Sequence, residues 1–278
     1  MAVANTTKIA FIGFGEVGQT FSRGFLKHEG IKIAAYDILH GQNAGAHLQE
    51  RAKDIGVQFC ADATTAAADA DIVISAVTAS QAEIVAQTAR DWLAPGQIFL
   101  DVNSAAPSTK QRAAQHVEAA GAFYVEGAVM APVLTPGLHV PILAGGPHAA
   151  KTADMLNALG MNLTAVATEH GIASAMKLCR SIIIKGLEAL MVDCAAASEL
   201  WGVKEPVFAS LHETFPSIDF HALAENMRER VATHGVRRSA EMFEAGEMLA
   251  ALGLNPGLAN AVAEAQLRGA RPKNNERN

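Results

Sequence analysis

The stretch Ile9–Gly18, "IAFIGFGEVG", decides how this chain is read. Its first half is an apolar, β-branched run, which predicts a strand at about 7–13, and a helical pattern follows from Glu16 to His28. Between them Gly13, Gly15 and Gly18 stand in G-x-G-x-x-G spacing. Alone, that spacing is a weak signal. Placed between a strand and a helix, it describes a loop whose backbone can meet a pyrophosphate. Gly13 permits the tight turn, Gly15 lets phosphates come close, and Gly18 lets helix and strand pack. The helix N-terminus supplies free N–H groups and a partial positive charge.

The same alternation continues outward from this loop. "IKIAAYD" reads as a second strand ending at Asp37, and a helix covers about 44–54. "VQF" is a short third strand, and "DIVISAV" a fourth, apolar throughout as in strands buried on both faces. Residues 79–92 read as helical, "GQIFLDV" as strand five and Ser108–Ala120 as a helix. "AFYVEGAV", "HVPILAGG" and "NLTAVA" read as three more strands, with a helix at 148–159. Strands alternating with helices predict an α/β fold, a Rossmann-type, doubly wound parallel sheet over residues 1–168.

After His170 the strands stop. The segment 171–199 is mostly Ala, Leu, Ile and Met, with Gly202 as its stop. Helices are expected at about 204–214, 219–233, 236–251 and 256–268, with Asp219 and Pro256 as start signals. Residues 169–278 therefore read as an all-α domain joined to the first by a long interdomain helix.

Bulk properties narrow the function. The 278 residues are half hydrophobic and 18% charged, enough for sizeable cores. A net charge of −6 gives no basic footprint for nucleic acid. No run of 18 apolar residues suggests a membrane span, and "MAVANTTKIAFIGFGEVG" runs straight into a strand, which predicts no signal peptide. Cys60, Cys179 and Cys194 lack metal or redox spacing, pointing to a reducing cytoplasm. The ten histidines show no H-E-x-x-H pattern, so no metal site is expected.

Asp37 follows Gly18 by 19 residues, at the end of the second strand. A carboxylate there accepts hydrogen bonds from the adenosine ribose of NAD and repels the 2′-phosphate of NADP. No arginine follows in "YDILHGQN", so NAD is expected ahead of NADP. The expected cofactor-binding residues are Gly13, Phe14, Gly15, Glu16, Val17, Gly18 and Asp37, with Val77, Thr78 and Asn103 on the nicotinamide side. "LDVNSAAP" puts Asn103 and Ser104 at the carboxyl end of strand five, the edge where open α/β sheets bind ligands. Pro107 and Ser108 read as the entry of the following helix.

The order of these motifs resembles the β-hydroxyacid dehydrogenase family, over nearly the whole chain. The glycine loop comes first, then "DVNSAAP", then the "LAGGP" turn, then "GIASAMK" at Gly171–Lys177. The resemblance implies a Rossmann domain, an all-α domain that commonly builds a dimer, and oxidation of a small 3-hydroxy acid with NAD or NADP. It implies that Lys177 is the general acid/base. The chain departs from the family pattern in three places: Ala173 for a glycine, Arg180 and Ser181 for two asparagines, and Met130, Ala131 and Pro132 for a serine and two glycines. "MKLCRSIIIKGLEAL" resembles a divergent branch, the phosphogluconate-dehydrogenase-like proteins with a C-terminal domain of unknown function. The resemblance places Asn103, Ser104, Met130, Ala131, Arg180 and Ser181 on the substrate side. A free lysine has a pKa of about 10.4, and burial or nearby positive charge lowers it toward what a general base needs. Arg180 can hold a substrate carboxylate or phosphate bidentately. An imine reductase shares this architecture, as does a nucleotide-binding protein without catalysis, and both readings stay open.

Ser174, Lys177, Ser181, Lys185 and Glu188 fall along one helical stripe. Lys185 and Glu188 read as an ordinary polar face or an interface pair. Arg228, Arg230, Arg237 and Arg238 read as a solvated face, or, as the resemblance allows, as a source of an arginine for a partner subunit's active site, and Met155, Met161, Met176 and Met191 read as core.

Overall fold

A computed structural model describes residues 6–271. Eight strands, β1 (Thr7–Ile12), β2 (Ile31–Tyr36), β3 (Gln58–Phe59), β4 (Ile72–Ser75), β5 (Ile98–Asp101), β6 (Phe123–Val129), β7 (Pro141–Gly145) and β8 (Asn162–Ala167), form one sheet. Their order is β3-β2-β1-β4-β5-β6-β7-β8. This is the expected doubly wound sheet with one departure: β7 runs antiparallel to β6. The physical reason is the connection. Only a short 3₁₀ turn at Gly137–His139 lies between the two strands, and a parallel return needs a crossover element.

The helices of this part are α1 (Glu16–Phe25), α2 (Ala46–Ile55), α3 (Ala63–Ala67), α4 (Ala79–Thr88), α5 (Pro107–Ala119) and α6 (Ala149–Asn157). The five-residue α3 is missing from the sequence reading, being too short to show a period. Alternate strand residues pack on opposite faces. Ile9 and Phe11 join Phe21 and Phe25 of α1 and Leu156 of α6. Ala10 and Ile12 join Val73, Phe99 and Val117 of α5. With both faces covered, the strands can be apolar at every position. Each fully buried Phe or Leu stabilises the fold by about 1.5–3 kcal/mol.

The C-terminal part is helical: α7 (Ile172–Leu200), α8 (Lys204–Thr214), α9 (Phe220–Ala251) and α10 (Gly257–Gly269). The chain divides into two compact units within α7, one ending at Lys177 and the next starting at Leu178. Asp219 caps α9 by accepting from the Ala222 N–H at 3.0 Å. The two helices expected at 219–233 and 236–251 are one. Gly235 does not break α9; a Cβ there would meet the Gln266 carbonyl oxygen of α10 at 2.3 Å, so the glycine serves close helix packing. Met191, Ala195, Phe208, Phe220 and Ala224 form the centre of this unit. Among the described residues, no helix is long and apolar enough to cross a membrane.

Several surface assignments change. Lys185, Glu188 and Ser181 are buried, so that stripe of α7 is a polar interior and not a solvated face. Arg238 is nearly buried against Glu188 at 2.8 Å, with Arg230 at 3.1 Å from the same carboxylate. Met161 and Met191 are core, Met155 is half-buried, and Met176 is exposed.

Candidate active site

The sheet brings the loop residues together. The glycine loop follows β1, Asp37 follows β2, Val77 and Thr78 follow β4, Asn103 and Ser104 follow β5, and Met130 and Ala131 follow β6. These strands are mutually parallel, so all five loops emerge at one carboxyl edge. The connections reverse direction between β1 and β4, the place where such sheets open a crevice.

The glycine loop fits a pyrophosphate. Gly13 has φ +90°, a conformation that L side chains rarely adopt, and a Cβ there would strike the Ala76 carbonyl oxygen at 2.4 Å. A Cβ on Gly15 would meet nothing within 4 Å, so the approach to the backbone is open. A Cβ on Gly18 would meet the Gly13 carbonyl oxygen at 2.8 Å and Phe14 at 3.3 Å. Gly15, the N-cap residue of α1, offers no side-chain acceptor to the first turn, which leaves those N–H groups to a ligand. Phe14 is buried, Val17 half-buried, and Glu16 exposed at the helix start.

Asp37 is half-buried and already serves the loop. Its Oδ2 accepts from the Phe14 N–H at 2.8 Å and its Oδ1 from the Leu39 N–H at 3.0 Å. A carboxylate has about four lone-pair sites, so acceptor capacity remains for a ribose. Thr78, exposed, begins α4 and shares a hydrogen bond of 3.2 Å with Ser80.

Asn103 is buried and faces inward. Its Oδ1 accepts from the Val77 N–H at 2.6 Å, and its Nδ2 donates to Ser75 Oγ at 2.9 Å and Asp101 Oδ1 at 2.7 Å. Both amide protons are thus spent within the protein. The side chain is a strut tying the loop after β4 to the loop after β5. Ser104, next to it, is half-buried and accepts from Lys177 Nζ at 3.1 Å. The structure therefore brings Lys177 to the loop after β5. Met130 and Ala131 are half-buried at the end of β6. Arg180 is exposed on α7. Ser181 donates to Glu241 Oε1 at 2.6 Å and accepts from Lys185 Nζ at 2.9 Å, within the helical unit.

Four residues of the site's foundation have no role in the sequence reading. Asp101 Oδ1 lies 2.9 Å from Lys110 Nζ, with the two side chains 1% and 0% exposed. Tyr124 donates its hydroxyl to Asp101 Oδ2 at 2.8 Å. Burial, then the Asp101 charge, pushes the Tyr124 phenol well above its ordinary range and keeps it a donor. Glu126 is fully buried and accepts from the Gly171 and Ser174 N–H groups. A carboxylate in the middle of the apolar strand "AFYVEGAV" was the signal that could have found it. Lys110 had none, because a lysine on a polar helix pattern reads as solvated.

Comparison with known proteins agrees with this architecture. Residues 8–105 match the family described as NADP oxidoreductase, coenzyme F420-dependent, and residues 197–268 match a domain of unknown function, DUF1932. A conserved hypothetical protein from Sinorhizobium meliloti 1021 is 39% identical, with a TM-score of 0.82 over 95% of this chain and 88% of that one. A conserved protein of unknown function, described as structurally similar to 3-hydroxyacid dehydrogenases, is 30% identical, with a TM-score of 0.75 over 94% and 99%. Human mitochondrial 3-hydroxyisobutyrate dehydrogenase is 24% identical over 206 residues, 72% of this chain and 58% of that protein. The chain thus spans little more than half the length of that enzyme. These matches and the glycine loop define a protein of the NAD(P)-dependent oxidoreductase class. Within it, the chain belongs to the β-hydroxyacid dehydrogenase family, in a divergent branch that carries the DUF1932 domain.

Proposed function

We propose that the protein is an NAD-dependent dehydrogenase that interconverts a small 3-hydroxy acid, or a related polyol acid, with its carbonyl form. The observation that carries this reading is the hydrogen bond from Lys177 Nζ to Ser104 Oγ, 3.1 Å long, at the carboxyl edge of the sheet. Gly13, Gly15 and Gly18 hold the pyrophosphate, and Asp37 holds the adenosine ribose. The Asp37 charge favours NAD over NADP. Val77 and Thr78 line the path to the nicotinamide. When bound, NAD supplies the acceptor for the hydride that the carbinol carbon releases. The amine of Lys177 takes the carbinol hydroxyl's proton as the carbonyl forms, and its ammonium returns that proton in the reverse direction. Ser104 holds the amine in place, with Met130 and Ala131 beside the substrate. Arg180, three residues further along α7, receives the substrate's acid group.

The test is a panel of hydroxy acids offered with NAD and with NADP. Lys177→Ala should lose about 10²- to 10⁴-fold in kcat, the usual share of a general acid/base, while NAD binding persists. Equal turnover by wild type and variant would sink the assignment. Reduction of cyclic imines with NADPH, and no turnover of hydroxy acids, would favour the imine reductase reading. NAD binding without any turnover would favour a protein that has lost catalysis.

The reading includes a homodimer. Ile183, Leu187, Leu190 and Leu258 are large apolar side chains exposed around a groove of about 430 Å³ between α7 and α10. Sedimentation at twice the 29.1 kDa chain mass is the expected result, and a monomer at micromolar concentration contradicts it.

A further inference from the structure

Glu126 takes no part in the reaction just proposed, yet it is a carboxylate with no exposed surface, set in an apolar strand. Its Oε2 accepts from the Gly171 N–H and its Oε1 from the Ser174 N–H, both at 2.5 Å. Gly171 immediately precedes α7 and Ser174 lies in its first turn, where N–H groups have no partner within a helix. The carboxylate also lies at the positive end of the helix dipole, which compensates its burial. Ser174 precedes Lys177 by three residues, so the capped turn runs directly into the turn that carries the lysine.

The neighbouring strand is shaped around this contact. Glu126 pairs in register with Gly145 of β7. A Cβ on Gly145 would sit 2.9 Å from Glu126 Oε2 and 3.3 Å from the Glu169 carbonyl oxygen. The first glycine of the "LAGGP" turn therefore leaves the volume that the carboxylate fills. Register also aligns Glu126 with Asp101, and Asp101 with Ser75. Three adjacent strands thus present a polar row: Ser75 and Asp101 fix Asn103 and the Ser104 loop, and Glu126 fixes the helix that brings Lys177 to Ser104.

We infer that Glu126 is a positioning residue for Lys177: from β6 it caps the N-terminus of α7, and Gly145 keeps the space in which it does so. The inference rests on the reading of Lys177 as acid/base. It predicts a loss in kcat without a loss of cofactor affinity. Glu126→Gln has nearly the same shape but keeps one acceptor oxygen and turns an NH₂ toward the second N–H donor. Gly145→Ala leaves the carboxylate in the chain and displaces it.

The experiment compares Glu126→Gln, Gly145→Ala and Lys177→Ala with wild type. It measures thermal melts, NAD binding by fluorescence titration, amide hydrogen exchange across 171–177, and kcat and KM on the best hydroxy acid found. Expected for Glu126→Gln and Gly145→Ala are faster exchange in 171–177, unchanged NAD affinity, and kcat lower by roughly 10- to 100-fold, as for a catalytic group displaced by about an ångström. If both variants keep wild-type kcat and exchange while Lys177→Ala is inactive, the positioning role is overturned and the reading of Lys177 stands. If NAD affinity falls in step with kcat in both, Glu126 is structural only, which also overturns it. Wild-type turnover in Lys177→Ala removes the reading of Lys177 and the inference with it.

Discussion

At the end of β5, Asp101 and Lys110 pair in complete burial, and each neighbour completes the set. Tyr124 and Asn103 donate to Asp101, and Lys110 also donates to the Asp101 carbonyl oxygen at 3.0 Å. In the helical unit, Lys185, Glu188, Arg238 and Gln266 form a second buried cluster from similar residue types, and it does not close. Arg238 Nε and Gln266 Oε1 are buried without a hydrogen-bond partner among the described residues, and Glu188 Oε1 is left to the half-exposed Arg230 at 3.1 Å. Burial there pushes the Lys185 ammonium below its ordinary 10.5 despite the pull of Glu241. The difference follows from spacing. Adjacent strands lie roughly 4.8 Å apart, so short polar side chains reach each other in fixed register. Packed helices lie roughly 8–10 Å apart, and the gap is bridged by long side chains that meet imperfectly.

The sharpest way to break this comparison is one substitution made in both places. Lys110→Met leaves Asp101 buried without a cation and should cost about 3–5 kcal/mol in urea denaturation. Lys185→Met should cost less than Lys110→Met, because its partner Glu241, 2.8 Å away, is 14% exposed and keeps the Ser181 hydroxyl as a donor. Equal losses would show that the two clusters do not differ. A surface pair sets the lower end of the scale. Arg112 bonds Glu83 at 2.8 Å through two nitrogens, with the side chains 49% and 25% exposed. That hydrogen bond holds the Glu83 carboxyl below its ordinary 4.5. The pair's contribution is therefore present above pH 4.5 and disappears as the pH falls through the folded-state value. Arg112→Ala should cost less than about 1 kcal/mol at neutral pH, and the difference from wild type should vanish in acid. A difference that persists there would place the effect in packing and not in charge.

Much of the N-terminal unit is legible because its signals are local. The glycine loop needs only a strand before it, a helix after it and three positions without side chains. Asn103 was legible as a residue of the ligand edge and not as a strut, because its partners Ser75 and Val77 lie 28 and 26 positions away in the chain. Gly235 misled for the opposite reason. Glycine weakens an isolated helix, but here its missing side chain admits α10. The stripe Ser181–Lys185–Glu188 has the period of a solvated helix face, and nothing local reports that another helix covers it.

By itself the sequence determined the dinucleotide loop, the alternation that builds the sheet, the helical C-terminal part and the lysine after "GIASAM". Each depends on the order and spacing of residues within a few turns or one strand. Only the tertiary structure decided that β7 turns back, that Asn103 looks inward, that Lys110 is buried on Asp101, and that Glu126 caps the helix of Lys177. Those outcomes depend on which strand ends become neighbours. Strand register and the packing of the first turn of α7 against the sheet set that, and Glu126 meets residues 45 and 48 positions away at hydrogen-bond distance.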